Sequence, residues 1–145
     1  MNIIRATSEN VQDLIPLFDG YRVFYIQESD YSSVKEFLTD RLQKKDSVIF
    51  MYYSGDEALG FTQLYPLFSS VSMQPKYLLN DLFVHSDHRN KGIGEALINA
   101  AKKLCKEENK KGLEIETESH NPAQHLYQRL GFVRETTLRF FWTNK

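Results

Sequence analysis

Residues 78–105 run from an apolar, β-forming segment through a glycine loop into an amphipathic helical pattern, a succession that constrains the fold more than any other stretch. The segment 78–84 supplies the strand. Residues 93–105 supply the helix, with Ile93, Ala96, Leu97, Ala100, Ala101, Leu104 and Cys105 on one face. Between them lies His85-Ser86-Asp87-His88-Arg89-Asn90-Lys91-Gly92-Ile93-Gly94-Glu95. Gly92 and Gly94 lack the Cβ atoms that would hold a phosphate away from the backbone. They also fall at a helix start, where N–H groups have no intrahelical partner and the helix dipole is positive. Such a turn favours an anion, and a pyrophosphate matches several adjacent amides at once.

A second block follows at Asn121-Pro122-Ala123-x-x-Leu126-Tyr127-x-x-x-Gly131-Phe132. Together with Arg89-x-x-Gly92-x-Gly94 it resembles the GCN5-related N-acetyltransferase (GNAT) superfamily, tightly over residues 77–132 and by element order elsewhere. The resemblance implies an α/β (α+β) fold whose mixed central sheet has six to seven strands, splayed in the middle, and about four helices. It further implies an acetyl-CoA-dependent N-acetyltransferase, with acetyl-CoA as co-substrate.

Length and composition agree with a single domain spanning residues 1–145, large enough to bury a core. A content of 41% hydrophobic and 26% charged residues fits a globular chain, and a net charge of −1 argues against nucleic acid or an anionic membrane as partner. Lys102, Lys103, Lys106, Lys110 and Lys111 read as a solvated helix face. Cys105 is the sole cysteine, so no intrachain disulfide is expected; it reads as a small core residue. With neither a signal peptide nor a membrane span evident, a reducing, cytoplasmic location is the expectation.

Along the chain, residues 2–6 read as a strand, and Thr7 or Ser8 caps a helix carrying Val11, Leu14, Ile15, Leu17 and Phe18. Pro16 should kink that helix or delay its start. A polar-aromatic segment, residues 21–30, precedes a second helix beginning at Ser32 or Ser33. Residues 47–53 and 58–65 form a hairpin about the turn 54–57, and residues 66–76 read as a loop. After the strand 77–84 comes a helix over 92–109, stopped by Gly112. Residues 113–119 alternate as a strand, residues 121–130 form a short helix, and residues 132–142 supply one or two last strands.

The resemblance carries roles onto particular positions. Backbone groups of Leu82, Phe83 and Val84 would receive the pantetheine arm, one amide facing the thioester carbonyl. Arg89, Asn90, Lys91, Gly92, Ile93, Gly94 and Glu95 would hold the pyrophosphate; Asn121 would bind the pantetheine or merely cap a helix. Tyr127 would be the general acid, since a phenol near 10 can protonate a CoA thiolate whose acid has a pKa of about 8.5. The amine, with a pKa of about 10.4, needs a base. Diamine acetyltransferases usually read Glu-Asp where this chain has Asn80-Asp81, so Asp81 remains as catalytic residue and amine ligand. Glu116, Glu118 and His120 are further candidates for the base. Tyr25 and Glu28, in the aromatic and acidic segment, would bind a cationic acceptor. The four histidines show no metal-ligand spacing, so no metal is expected.

The preferred acceptor is a primary amine of a small molecule, attacked directly in a ternary complex, and a homodimer through residues 138–142 is possible. A protein lysine or N-terminal amine is the alternative substrate. A CoA-binding sensor without turnover is the alternative of another class, favoured by the absent glutamate. The glycine loop lacks both a P-loop Lys-Ser/Thr and a full dinucleotide pattern.

Overall fold

A computed structural model describes residues 2–145. Its strands are β1 (Asn2–Arg5), β2 (Val48–Ser54), β3 (Glu57–Ser69), β4 (Gln74–Val84) and β5 (Leu113–Ile115). The helices are α1 (Val11–Phe24), α2 (Tyr31–Lys44), α3 (Ile93–Glu107) and α4 (Ala123–Arg129). The strands lie side by side in sequence order. Neighbours are antiparallel except β4 and β5, which the α3 crossover leaves parallel.

Both faces of the sheet are covered. Leu14, Phe18, Val34 and Leu38 of α1 and α2 pack on Met51 and Phe61. On the other face Ile98, Ala101 and Leu104 of α3 pack on Leu64, Tyr77 and Leu79. Gly60 allows α3 to sit this close, because a Cβ there would stand 2.9 Å from the Phe83 carbonyl and 3.3 Å from Ile93 Cγ2.

Several expectations change. Pro16 lies inside α1 without delaying it. The carbonyl it leaves free is that of exposed Gln12, in the first turn, where water can serve as partner. The helix also runs on to Phe24, into the segment read as polar-aromatic, and at Gly20 the missing Cβ leaves room for the Phe83 ring. The second helix starts earlier than expected, at Tyr31, because the Asp30 side chain accepts from Ser33 N and caps it. The expected loop 66–76 is mostly strand: β3 runs to Ser69, and Pro66 pairs with Tyr77. Pairing of β2 with β3 ends at Val48–Leu64, so the missing N–H of Pro66 falls on a free edge.

The sheet has five strands rather than six or seven. Residues 116–119 leave the ladder, and residues 132–142 form no strand among the described residues. Leu138, Phe140, Phe141 and Trp142 are 77%, 92%, 89% and 80% exposed. Residues with β propensity are present in both stretches, but a strand also needs a hydrogen-bonding neighbour, which neither finds among the described residues.

Candidate active site

The site grows from an irregularity in β4. Gln63 pairs with Asp81 whereas Leu64 pairs with Leu79, so Asn80 is an extra residue with no partner across the ladder. In a regular strand Leu79 and Asp81, two residues apart, would point to the same face. With the bulge, Leu79 points into the α3 layer while Asp81 turns toward α1 and accepts from Gln63 Nε2 at 2.7 Å. At the same point β4 and β5 part, the last paired residues being Leu79 and Ile115. Beyond them the β5-facing edge of β4 is open.

Backbone alternation decides which groups use that edge. Val84 O accepts from Arg89 Nε at 3.0 Å, away from β3, so the Leu82 backbone two residues earlier also faces the opening. The Phe83 carbonyl instead points at Gly60 on β3, and the Phe83 ring packs on the α1 side. Of the three strand residues, Leu82 and Val84 therefore present backbone to the cleft, while Phe83 lines the neighbouring wall.

The loop after β4 makes one turn of 3-10 helix at Ser86–His88. It then reaches α3 through two left-handed residues, Asn90 at φ 62° and Gly92 at φ 81°. No side chain caps the α3 amides, and the first helical bond runs from Ala96 N to Gly92 O. A Cβ on Gly92 or Gly94 would meet no protein atom within 4 Å. Packing therefore does not require glycine at position 94; open space lies over the helix tip. Lys91 and Ile93 line a shallow depression of about 250 Å³ with Tyr52 and His88.

Two loop side chains are engaged elsewhere. The Arg89 guanidinium stacks 5.5 Å from the rings of both Phe24 and Phe83, and Glu95 pairs with Arg129 of α4 at 2.7 Å. Asn121 behaves as a cap: its Oδ1 accepts from Ala123 N and its Nδ2 donates to Thr117 Oγ1, each at 2.9 Å.

The α1 face carries an aromatic wall. Tyr21 meets Tyr25 edge-on at 5.0 Å, and Tyr25 meets Phe24 at 5.3 Å. The turn after α1 is fixed by buried Asp19, which accepts from Ser29 Oγ and Asp30 N at 2.7 Å each. Within that turn Glu28 O accepts from Arg22 at 3.0 Å. Tyr127, on α4, packs against Phe132; burial and then the nearby Tyr25 raise its pKa, so the phenol keeps its proton. Tyr25 thus lies near both Tyr127 and Tyr21, and Tyr21 in turn stands beside Asp81. Of the alternative bases, Glu116 pairs with Arg139, and Glu118 and His120 are exposed. No His, Cys, Asp and Glu group able to hold a metal occurs among the described residues.

Residues 12–132 match the model of the Acetyltransferase (GNAT) family. The chain belongs to the GNAT acetyltransferase family. It is 44% identical over 137 residues to the Bacillus subtilis (strain 168) protein named Uncharacterized N-acetyltransferase YhfO, covering 94% of this chain and 92% of that one. A crystal structure of a probable acetyltransferase superposes with a TM-score of 0.92 at 34% identity, over 100% of this chain and 98% of the other. The same fold, at 18% identity and a TM-score of 0.84, occurs in the aminoglycoside N-acetyltransferase AAC(6')-Iy in complex with CoA, over 99% of this chain and 95% of that one.

This GNAT acetyltransferase is therefore an N-acetyltransferase that uses acetyl-CoA. The donor fits the geometry: uncapped amides and bare glycines at the α3 tip suit a pyrophosphate, and the open β4 edge suits the amide-bearing pantetheine. One feature of the site escaped sequence reasoning. Gln63, a fully buried amide, holds Asp81, and Tyr21, from the aromatic segment read as bordering the acceptor, stands beside it. The signal for Gln63 was a lone amide between Thr62 and Leu64, which only the register of β3 on β4 explains.

Proposed function

We propose that the protein acetylates a primary amine of a small molecule by direct attack on acetyl-CoA in a ternary complex. The observation that supports this is the chain of contacts from buried Asp81 through Tyr21 and Tyr25 to protonated Tyr127, beside the strand pair that parts after Leu79 and Ile115. In this reading the α3 amides and Gly92, Gly94, Asn90 and Lys91 seat the pyrophosphate. A backbone N–H on the open edge, that of Leu82 or Val84, stabilises the developing oxyanion; such a donor contributes roughly 3–4 kcal/mol in acyl transfer. Asp81 draws the proton from the amine, Tyr127 protonates the departing thiolate, and Tyr25 and Glu28 border the acceptor. Aromatic faces beside a carboxylate suit a small cation, and a protein of the same fold is named an aminoglycoside acetyltransferase.

Replacing Tyr127 by Phe tests the assignment. Turnover should fall roughly 10- to 1,000-fold with CoA affinity nearly kept, the span of general acid catalysis; an unchanged rate removes Tyr127 from the mechanism. An amine panel and a peptide array with labelled acetyl-CoA separate the acceptor classes. Tight acetyl-CoA binding without turnover of any amine would favour a sensor instead.

We also propose a homodimer, in a cytoplasmic setting, built on the C-terminal segment. Val133, Leu138, Phe140, Phe141 and Trp142 are all exposed, and β5 ends the sheet with its outer edge unpaired. Covering these side chains would bury roughly 700 Å² per protomer, close to the ~800 Å² per partner of a standard interface. A donor segment and a free strand edge on the same chain suit a second copy. Sedimentation should give a dimer that truncation after Glu135 converts to monomer; a monomeric full chain refutes it.

A further inference from the structure

The Asp81 carboxylate has little contact with solvent, at 5% exposure, and each of its two oxygens already accepts a hydrogen bond. Gln63 Nε2 donates to Oδ2 at 2.7 Å and Asn80 Nδ2 to Oδ1 at 3.1 Å. Gln63 is wholly buried and lies opposite Asp81 in the ladder, so it cannot swing aside. The carboxylate is held on its strand, pointing at α1. What stands on the α1 side is the hydroxyl of Tyr21, beside this carboxylate and 3.4 Å from Asn80 O. Tyr21 is half-buried: its ring is packed against Phe18, Phe61 and Phe83 and meets Tyr25 of the acceptor wall. The phenol therefore stands beside the fixed carboxylate, donating to Asn80 O, while its ring forms part of the wall.

We propose that Tyr21 is the group that meets the acceptor amine, passing its proton on to Asp81. This rests on the reading of Asp81 and Tyr127 given above. An N–H bond of the ammonium breaks, its proton goes to Tyr21 Oη, and the Tyr21 hydroxyl proton moves to the Asp81 carboxylate. The freed lone pair forms the N–C bond to the thioester carbon. The C–S bond then breaks with its electron pair on sulfur, which takes the Tyr127 proton. The adduct's remaining N–H⁺ proton restores Tyr127, and the Asp81 proton returns through Tyr21 to solvent, so one proton is released per acetyl transferred. Burial, followed by the Asp81 charge, raises the Tyr21 pKa far above that of a free phenol, which keeps the relay loaded at neutral pH. The other titratable groups facing Tyr21 are Tyr25 and Tyr65, with Arg41 and Asp46 beyond Tyr65.

Two measurements test this. Carbon-13 tyrosine NMR on the full chain at neutral pH, with Tyr21→Phe for assignment, should show the Tyr21 Cζ resonance shift in Asp81→Asn relative to the wild type; an unmoved resonance refutes the pairing and the relay with it. With spermidine and sisomicin as acceptor probes, Tyr21→Phe should lower kcat roughly 10- to 100-fold at neutral pH. The KM for acetyl-CoA should be kept, and the deficit should shrink as pH nears the amine pKa of about 10.4. A deficit independent of pH indicates packing alone and overturns the relay. If Asp81→Asn is inactive while Tyr21→Phe is not impaired, only the relay fails. If Asp81→Asn turns over normally, the reading of the site itself fails.

Discussion

Gly92 and Gly94 sit under different backbone constraints. Gly92 has a left-handed backbone, so any side chain there is strained whatever the space around it. Gly94 has no such constraint, and no protein atom lies within 4 Å of where its Cβ would be. In the first turn of α3 an alanine should favour the helix by up to about 1 kcal/mol. Gly94→Ala is therefore expected to raise the unfolding midpoint slightly while weakening CoA binding about tenfold or more, measured by calorimetry on one preparation. Unchanged affinity would mean that the phosphates lie elsewhere. The glycine pair was legible in the sequence because its effect is local. The occupations of Arg89 and Asn121 were not, since a guanidinium stacked on Phe24 and an amide bonded to Thr117 depend on contacts that no spacing encodes.

Among elements, the strand–loop–helix unit around β4 and α3 was legible because its hydrophobic period changes from strand to helix at the glycines. The reach of β3 was hidden by Pro66, which reads as a strand breaker until the free edge beside it is seen. The Asn80 bulge was hidden too, because two-residue alternation looks the same on paper whether or not a residue is skipped. Gly60 shows how closely these elements fit. Gly60→Ala places a methyl 2.9 Å from the Phe83 carbonyl, backbone that cannot rotate away. It should destabilise the fold by about 1–3 kcal/mol, the usual penalty of overpacking, read as a lower denaturant midpoint. A neutral outcome would mean that α3 floats on the sheet more freely than the contacts with Ile93 and Leu97 indicate.

For the whole molecule, four buried or part-buried phenols bear on stability at alkaline pH. Tyr53, Tyr65 and Tyr77 are pushed up to about 12, in each case chiefly by burial, and Tyr21 higher still. The unfolded chain ionises its tyrosines near pH 10. Because the folded values are raised, the stability these groups contribute is complete below pH 10 and is lost as pH climbs from 10 through about 12. The unfolding midpoint should fall across that window together with the growth of phenolate absorbance, and a flat midpoint would show that the hydroxyls are hydrated. The number of strands was overestimated from the sequence because a β-forming tail was counted as a strand before it had a neighbour.

Arg89 ties the two halves of the enzyme together. Its Nε holds Val84 O on the open edge of β4, the edge proposed above for the donor, while its guanidinium carbon lies over Phe24 at the end of α1, next to Tyr25. Lysine would keep the charge but lose both the fork and the stacked plane. Arg89→Lys should therefore disturb the Michaelis constant of the amine more than the affinity for CoA, so that a side chain on the nucleotide's side of the cleft would govern how well the other substrate is received.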